Sequence, residues 1–152
     1  MRACFLLTVA LLASAASAQT RTVEILNADL VTVEADSLGI VRRLDGNVRL
    51  RQDTTLLSSR SAVYDERANL VTLRGGVRVV SGRNTLTAET VLYHSDTRVA
   101  EAETNARVDD GESVVLAPQM THDTQTEVST FSGGGRILHH CRDTVVTEAP
   151  TL

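Results

Sequence analysis

The 152-residue chain has no tryptophan and no lysine, and only two phenylalanines, two tyrosines, two cysteines and two prolines. Each shortage excludes something. With so few aromatic rings, any core has to be built from Val, Leu, Ile and Ala, whose small side chains suit thin, repetitive layers. Without lysine there is no phosphate-cradling glycine loop ending in Lys and no Ser–Lys dyad, and no Gly-x-Ser-x-Gly elbow occurs either. All fifteen basic residues are arginine, against nineteen acids, for a formal charge of −4. That balance offers no basic stripe for a phosphate backbone, so nucleic acid is not an expected partner.

The first eighteen residues read as a secretory signal: Arg2 is the positive start, Phe5 to Ala13 an apolar run, and Ala16-Ser17-Ala18 a small-x-small cleavage pattern. The apolar run is shorter than the about 20 residues of a membrane-spanning helix. Cleavage before Gln19 would leave fourteen arginines, nineteen acids and one cysteine, Cys141. One cysteine cannot form an internal disulfide, so packing alone must hold the fold. Retention of the segment as an anchor is the alternative. The expected division is a signal peptide at 1–18, a repeat domain at 19–139 and a C-terminal tail at 140–152.

What the chain has in abundance is self-similarity. Cutting at Leu44, Leu73, Ala102 and Phe131 gives three units of 29 residues and the start of a fourth, without gaps. Arg49, Arg78, Arg107 and Arg136 share one column, and Leu50, Val79, Val108 and Ile137 the next. Tyr64, Tyr93 and His122 share another; Gly46, Gly75 and Gly133 mark a fourth, broken by Thr104. Within each unit apolar and polar residues alternate, the period of a half-buried strand, and helical spacing is absent after the signal. The second strand of each unit is expected at Leu56–Tyr64, Thr85–Tyr93 and Val114–His122, with polar turns between. Thr22–Glu34 and Ser37–Arg43 read as an atypical first unit.

About eight strands with short turns cannot remain one flat sheet, because its apolar face would stay in water. Two layouts bury it: an open meander curled into a jelly roll, or a solenoid of stacked coils. Turns of four or five residues suit antiparallel neighbours, and the glycines at 46, 75 and 133 can bend long strands, so the expectation is all-β: an open, twisted β-jelly roll of about eight antiparallel strands in 29-residue repeats.

The motif Leu-x-Gly-Asn/Gly-Val-x-Leu/Val at Leu44–Leu50 and Leu73–Val79, followed by Leu-x-Ser/Ala-x-x-Ala/Val-x-Tyr at Leu57–Tyr64 and Leu86–Tyr93, resembles the OstA-like family of periplasmic lipopolysaccharide-transport proteins that includes LptA. The resemblance spans roughly Val23 to His139. It implies an open jelly roll whose groove shelters lipopolysaccharide acyl chains, whose exposed edges join other jelly-roll components of the pathway, and which carries no catalytic residues. It also implies a periplasmic protein released by signal cleavage.

Val48, Leu50, Val77, Val79, Leu86, Val108 and Ile137 are then the candidate lipid-groove residues, although the plainer role of each is core packing. Val23, Ile25, Leu30 and Val33, in an N-terminal stretch with few charges and no proline, are the candidate partner edge for β-augmentation; closing the sheet is their plainer role. Self-association is a further option. No cofactor or metal is expected. His139, His140 and Cys141 lack a second ligand cluster, and Asp109–Glu112 lacks the alternating oxygen ligands of a calcium loop and sits at a turn. The arginine column reads as an outward charged ladder, and Tyr64 and Tyr93 as packing residues with hydroxyls near the surface. From another functional class, the rival is a secreted structural β-solenoid that self-assembles without carrying lipid.

Overall fold

A computed structural model describes residues 22–139 and 147–148. The expected signal peptide at 1–18, and His140 and Cys141, lie outside the described residues, as does the side chain of His139. The described residues form eleven strands: β1 (Glu24–Asn27), β2 (Leu30–Asp36), β3 (Gly39–Gln52), β4 (Thr55–Asp65), β5 (Leu70–Ser81), β6 (Asn84–His94), β7 (Val99–Asp109), β8 (Ser113–Asp123), β9 (Ser129–Ser132), β10 (Arg136–His139) and β11 (Thr147–Glu148). From β3 to β8 each strand pairs antiparallel with its neighbour in sequence. This is the curled meander; a solenoid of stacked coils would pair strands in parallel across repeats.

The turns sit where the polar stretches place them. Asp65 Oδ1 accepts the backbone N–H groups of Arg67 and Ala68, and 58 positions on Asp123 Oδ1 accepts those of Gln125 and Thr126. A carboxylate that accepts local N–H groups draws the chain into a turn, and both acids titrate below the ordinary carboxylate range as a result. For Asp65 the Arg67 side chain is the largest contribution. Asp110 does the same work in the turn before β8, accepting from Glu112 and Ser113.

The long strands are each two half-strands joined by a bend. Odd strands carry two consecutive residues with positive φ: Gly46 and Asn47, Gly75 and Gly76, Thr104 and Asn105, one pair per 29-residue unit. Across each bend the odd strand has one residue more than its partner, as at Gly75 and Gly76, which oppose Glu89 alone between the pairs Arg74↔Thr90 and Val77↔Ala88. Such a bulge bends the strand, and across it the inward parity shifts on the even partner, from Leu86 and Ala88 to Val91 and Tyr93 on β6, while the odd strand keeps its own. On β5, Val71 and Leu73 point inward before the bend, Val77 and Val79 after it, and all four are fully buried.

The bends divide the sheet into two leaves. One holds β2, the N-terminal halves of the odd strands, the C-terminal halves of the even ones, and β9. The other holds β1, the remaining halves, β10 and β11. Their outer tips touch: Gln52 Nε2 donates to Ser95 O at 2.8 Å, Tyr93 Oη to Gln52 Oε1 at 2.6 Å, and Ser81 Oγ to Thr124 O at 2.7 Å. Arg98 and Asp53 add an ion pair at 2.5 Å. Gln52 on β3 could not reach β6 in a flat sheet, where two strands would stand between them. The sheet is therefore folded over on its own apolar face.

Two sequence expectations differ in detail. Thr22–Glu34 contains two strands, because Asp29 N–H bonds to the carbonyls of Asp45 and Gly46 at the first bend and the chain crosses from one leaf to the other there. Ser37–Arg43 is no separate strand: its last residues open β3, which runs on through Leu44 to Gln52. Pro118 is accommodated within β8 because it occupies the bend between the pairs Ala106↔Ala117 and Glu103↔Gln119, where the ladder is already broken.

Candidate functional site: the slot between the leaves

Within the second leaf the register assembles one continuous row across eight strands: Ile25, Leu50, Leu57, Val79, Leu86, Val108, Val115 and Ile137. The first leaf has its own: Val31, Leu44, Ala62, Leu73, Val91, Ala102, Met120 and Phe131. Directly paired residues point to the same face of a sheet, so each row is a strip of side chains on one surface. Both strips are buried along their middle, which requires them to face each other. With strands about 4.8 Å apart, each row runs roughly 34 Å.

The candidate groove residues fall on this interior. Leu50, Val79, Leu86, Val108 and Ile137 belong to the second leaf's row; Val48 and Val77 lie one rung closer to the bends. All are buried except Ile137, which is half-buried. The candidate edge residues divide. Val23 is buried in the core and Ile25 is half-buried on the inner row, whereas Leu30 and Val33 on β2 are 59% and 55% exposed. β2 pairs only with β3, so its outer edge carries no strand among the described residues. Val31 and Val33 pair with the inner-face residues Leu44 and Arg42, yet both are open to solvent, so the apolar strip emerges from the slot at this end.

The opposite end carries smaller side chains at two positions of the repeat. Where the earlier units place Leu44 and Leu73, or Val48 and Val77, the third places Ala102 and Ala106; Ala117 follows on β8. An open depression of about 820 Å³ lies at this bend, lined mainly by exposed residues among Glu103–Ala106, Leu116–Gln119, Gly134 and Arg136. Sequence reading did not anticipate it.

Polar groups mark the tip side of the slot. The Tyr93 hydroxyl is not near the surface: the residue is fully buried, bonds to Gln52, and burial raises its pKa. One unit later, His122 takes the place of Tyr93 and Ser81 that of Gln52. Burial pulls the His122 pKa below its ordinary value, partly opposed by Asp123 and Glu127. The arginine column forms a row on the outer face of the second leaf, Arg49, Arg78, Arg107 and Arg136 alternating with Ser58, Thr87 and Leu116. Asp109 bonds to Arg107 and to Gly111 N–H, so the acidic stretch is spent on its own turn, and among the described residues no group of three metal-ligating side chains occurs.

The interior is thus an elongated aliphatic layer between the two leaves, buried along its middle and polar along its latched tips, where His122 and Ser129 form one hydrogen-bonded rung. Such a site can hold an extended apolar chain. No curated protein matches the sequence. Among solved structures, LptH from Pseudomonas aeruginosa, described as the LptA-homologous periplasmic component of the conserved lipopolysaccharide transport device, has a similar fold: TM-score 0.65 at 15% identity, covering 86% of this chain and 96% of that one. The family model of the OstA-like proteins matches residues 20–148. The chain belongs to the OstA-like protein family.

Proposed function

We propose that the protein is a non-enzymatic periplasmic carrier that shelters the acyl chains of lipopolysaccharide, or a related lipid, in the slot between its leaves during transport toward the outer membrane. The observation that carries this reading is the pair of facing aliphatic rows, unbroken across eight strands and open where they end. Holding a twelve-carbon chain in water costs about 10 kcal/mol, at about 0.8 kcal/mol per methylene. Similar aliphatic rungs in succession offset that cost at every point along the slot and offer no single resting place, which suits a ligand that slides. Family membership and the fold shared with a periplasmic transport component support the same reading.

Partners fit the two ends. Among the described residues β2 pairs on one side only, with Leu30 and Val33 exposed, chemistry that accepts a strand from another jelly roll of the pathway or from a second copy of this chain. One observation favours the rival, a structural protein without lipid: the middle rungs are already buried to 0 or 1% with nothing between the leaves. A diazirine side chain at Val79, irradiated in cells, separates the two. A covalent lipid adduct supports the carrier; capture of neighbouring protein alone supports the structural role.

A further inference from the structure

Among the described residues, one buried side-chain polar atom has no hydrogen-bond partner: Nε2 of His122. The ring is 1% exposed. Its position on the inner face is fixed by pairing with the buried Ala100 on one side and with Ser129 on the other. Ser129 Oγ lies 2.8 Å from Nδ1, which holds the ring and leaves Nε2 at its far end. Leaving such an atom unsatisfied in an apolar interior is unfavourable, so an orphan of this kind calls for an explanation.

The repeat supplies the comparison. One unit upstream Tyr93 reaches across the tips to Gln52 and the rung is complete. At the next rung both residues are replaced by smaller ones, His122 and Ser81, and Ser81 turns its hydroxyl to the Thr124 carbonyl instead. The second rung therefore keeps a polar atom with nothing to bond.

We propose that His122 Nε2 hydrogen-bonds a hydroxyl carried on an acyl chain in the slot, so that the preferred occupant is a hydroxylated fatty-acyl lipid. This assignment rests on the lipid-slot reading above. A hydroxyl suits the atom better than a carbonyl or an amine. If Nδ1 donates to Ser129, Nε2 needs a donor; if Ser129 donates to Nδ1, Nε2 carries the proton and needs an acceptor. A hydroxyl meets either tautomer while costing an otherwise apolar chain only one polar group.

The test compares a saturated fatty acid with its 3-hydroxy analogue of equal length, each displacing a fluorescent fatty acid from the full-length protein. The hydroxy analogue is expected to bind about five- to tenfold more tightly, the worth of one hydrogen bond to a buried partner. In His122→Leu, with folding checked by circular dichroism, the preference is expected to vanish while binding of the plain chain persists. Should that variant not fold, the ring nitrogens of wild-type His122 provide the readout by NMR: Nε2 shifts on adding the hydroxy analogue and stays in place with the plain acid. Equal affinities in the wild type, a preference surviving in His122→Leu, or an unmoved Nε2 resonance would overturn the assignment and point to water at that atom, leaving the carrier intact. Failure of both acids to bind would remove the lipid slot itself.

Discussion

The bend at Thr104 and Asn105 stands where two earlier units place glycine, and replacing Thr104 by glycine should stabilise the protein. Thr104 has φ +64° and Gly75, its counterpart, φ +83°. For a residue with a Cβ the left-handed region costs about 1–2 kcal/mol, and branching at Cβ places Thr at the upper end. Glycine relieves that strain but adds about 0.5–1 kcal/mol of backbone freedom to the unfolded chain. The expected net gain for Thr104→Gly is about 0.5–1 kcal/mol, which for a chain of this length raises Tm by about 1–4 °C. The converse substitution is harsher. A Cβ at Gly75 would lie 2.8 Å from Cβ of Arg60, so Gly75→Thr adds a collision to the strain and should cost about 2 kcal/mol or more. Urea unfolding followed by circular dichroism measures both. If Thr104→Gly destabilised the protein, or Gly75→Thr were neutral, the bends would not depend on backbone conformation and the account of how the sheet folds over would fail.

Three further outcomes follow from the same geometry. Tyr93→Phe removes the donor to Gln52 Oε1 and should cost about 1 kcal/mol; a cycle with Gln52→Leu should show coupling between the two, and additivity would argue against the latch. His122 is held neutral by burial, so the folded state binds its proton less readily than the unfolded chain. Stability should therefore fall as pH drops below about 6.5, the unfolded value, and go on falling until the lower folded pKa is passed; unfolding at pH 7.5 and 5.5 should show a smaller difference in His122→Leu than in wild type. Leu30→Arg and Val33→Arg, at exposed sites on β2, should change stability by less than about 0.5 kcal/mol but weaken association through that edge, read by light scattering at high concentration. Unchanged association would move the interface elsewhere.

Much of the architecture is written locally. Alternation, polar turns and the 29-residue period determine strands, hairpins and their order, because each depends on neighbours within one unit. Glycines at 46 and 75 mark the bends, since positive φ is a property of single residues. The leaf rows follow from register once the hairpins close, so Leu50, Val79, Val108 and Ile137 could be aligned from the repeat alone.

Only the tertiary structure decided which surfaces meet. The tip contacts Gln52–Ser95 and Ser81–Thr124 each join residues 43 positions apart, one and a half units, a spacing no local pattern announces. Because of that folding Val23 is buried while Leu30 stays exposed, and Tyr93 bonds inside rather than at the surface. It is also why one histidine nitrogen is left alone in an aliphatic interior. The physical reason is one of range: backbone conformation and pairing are set by adjacent residues, whereas the closing of one leaf over the other depends on apolar area removed from water across the whole sheet.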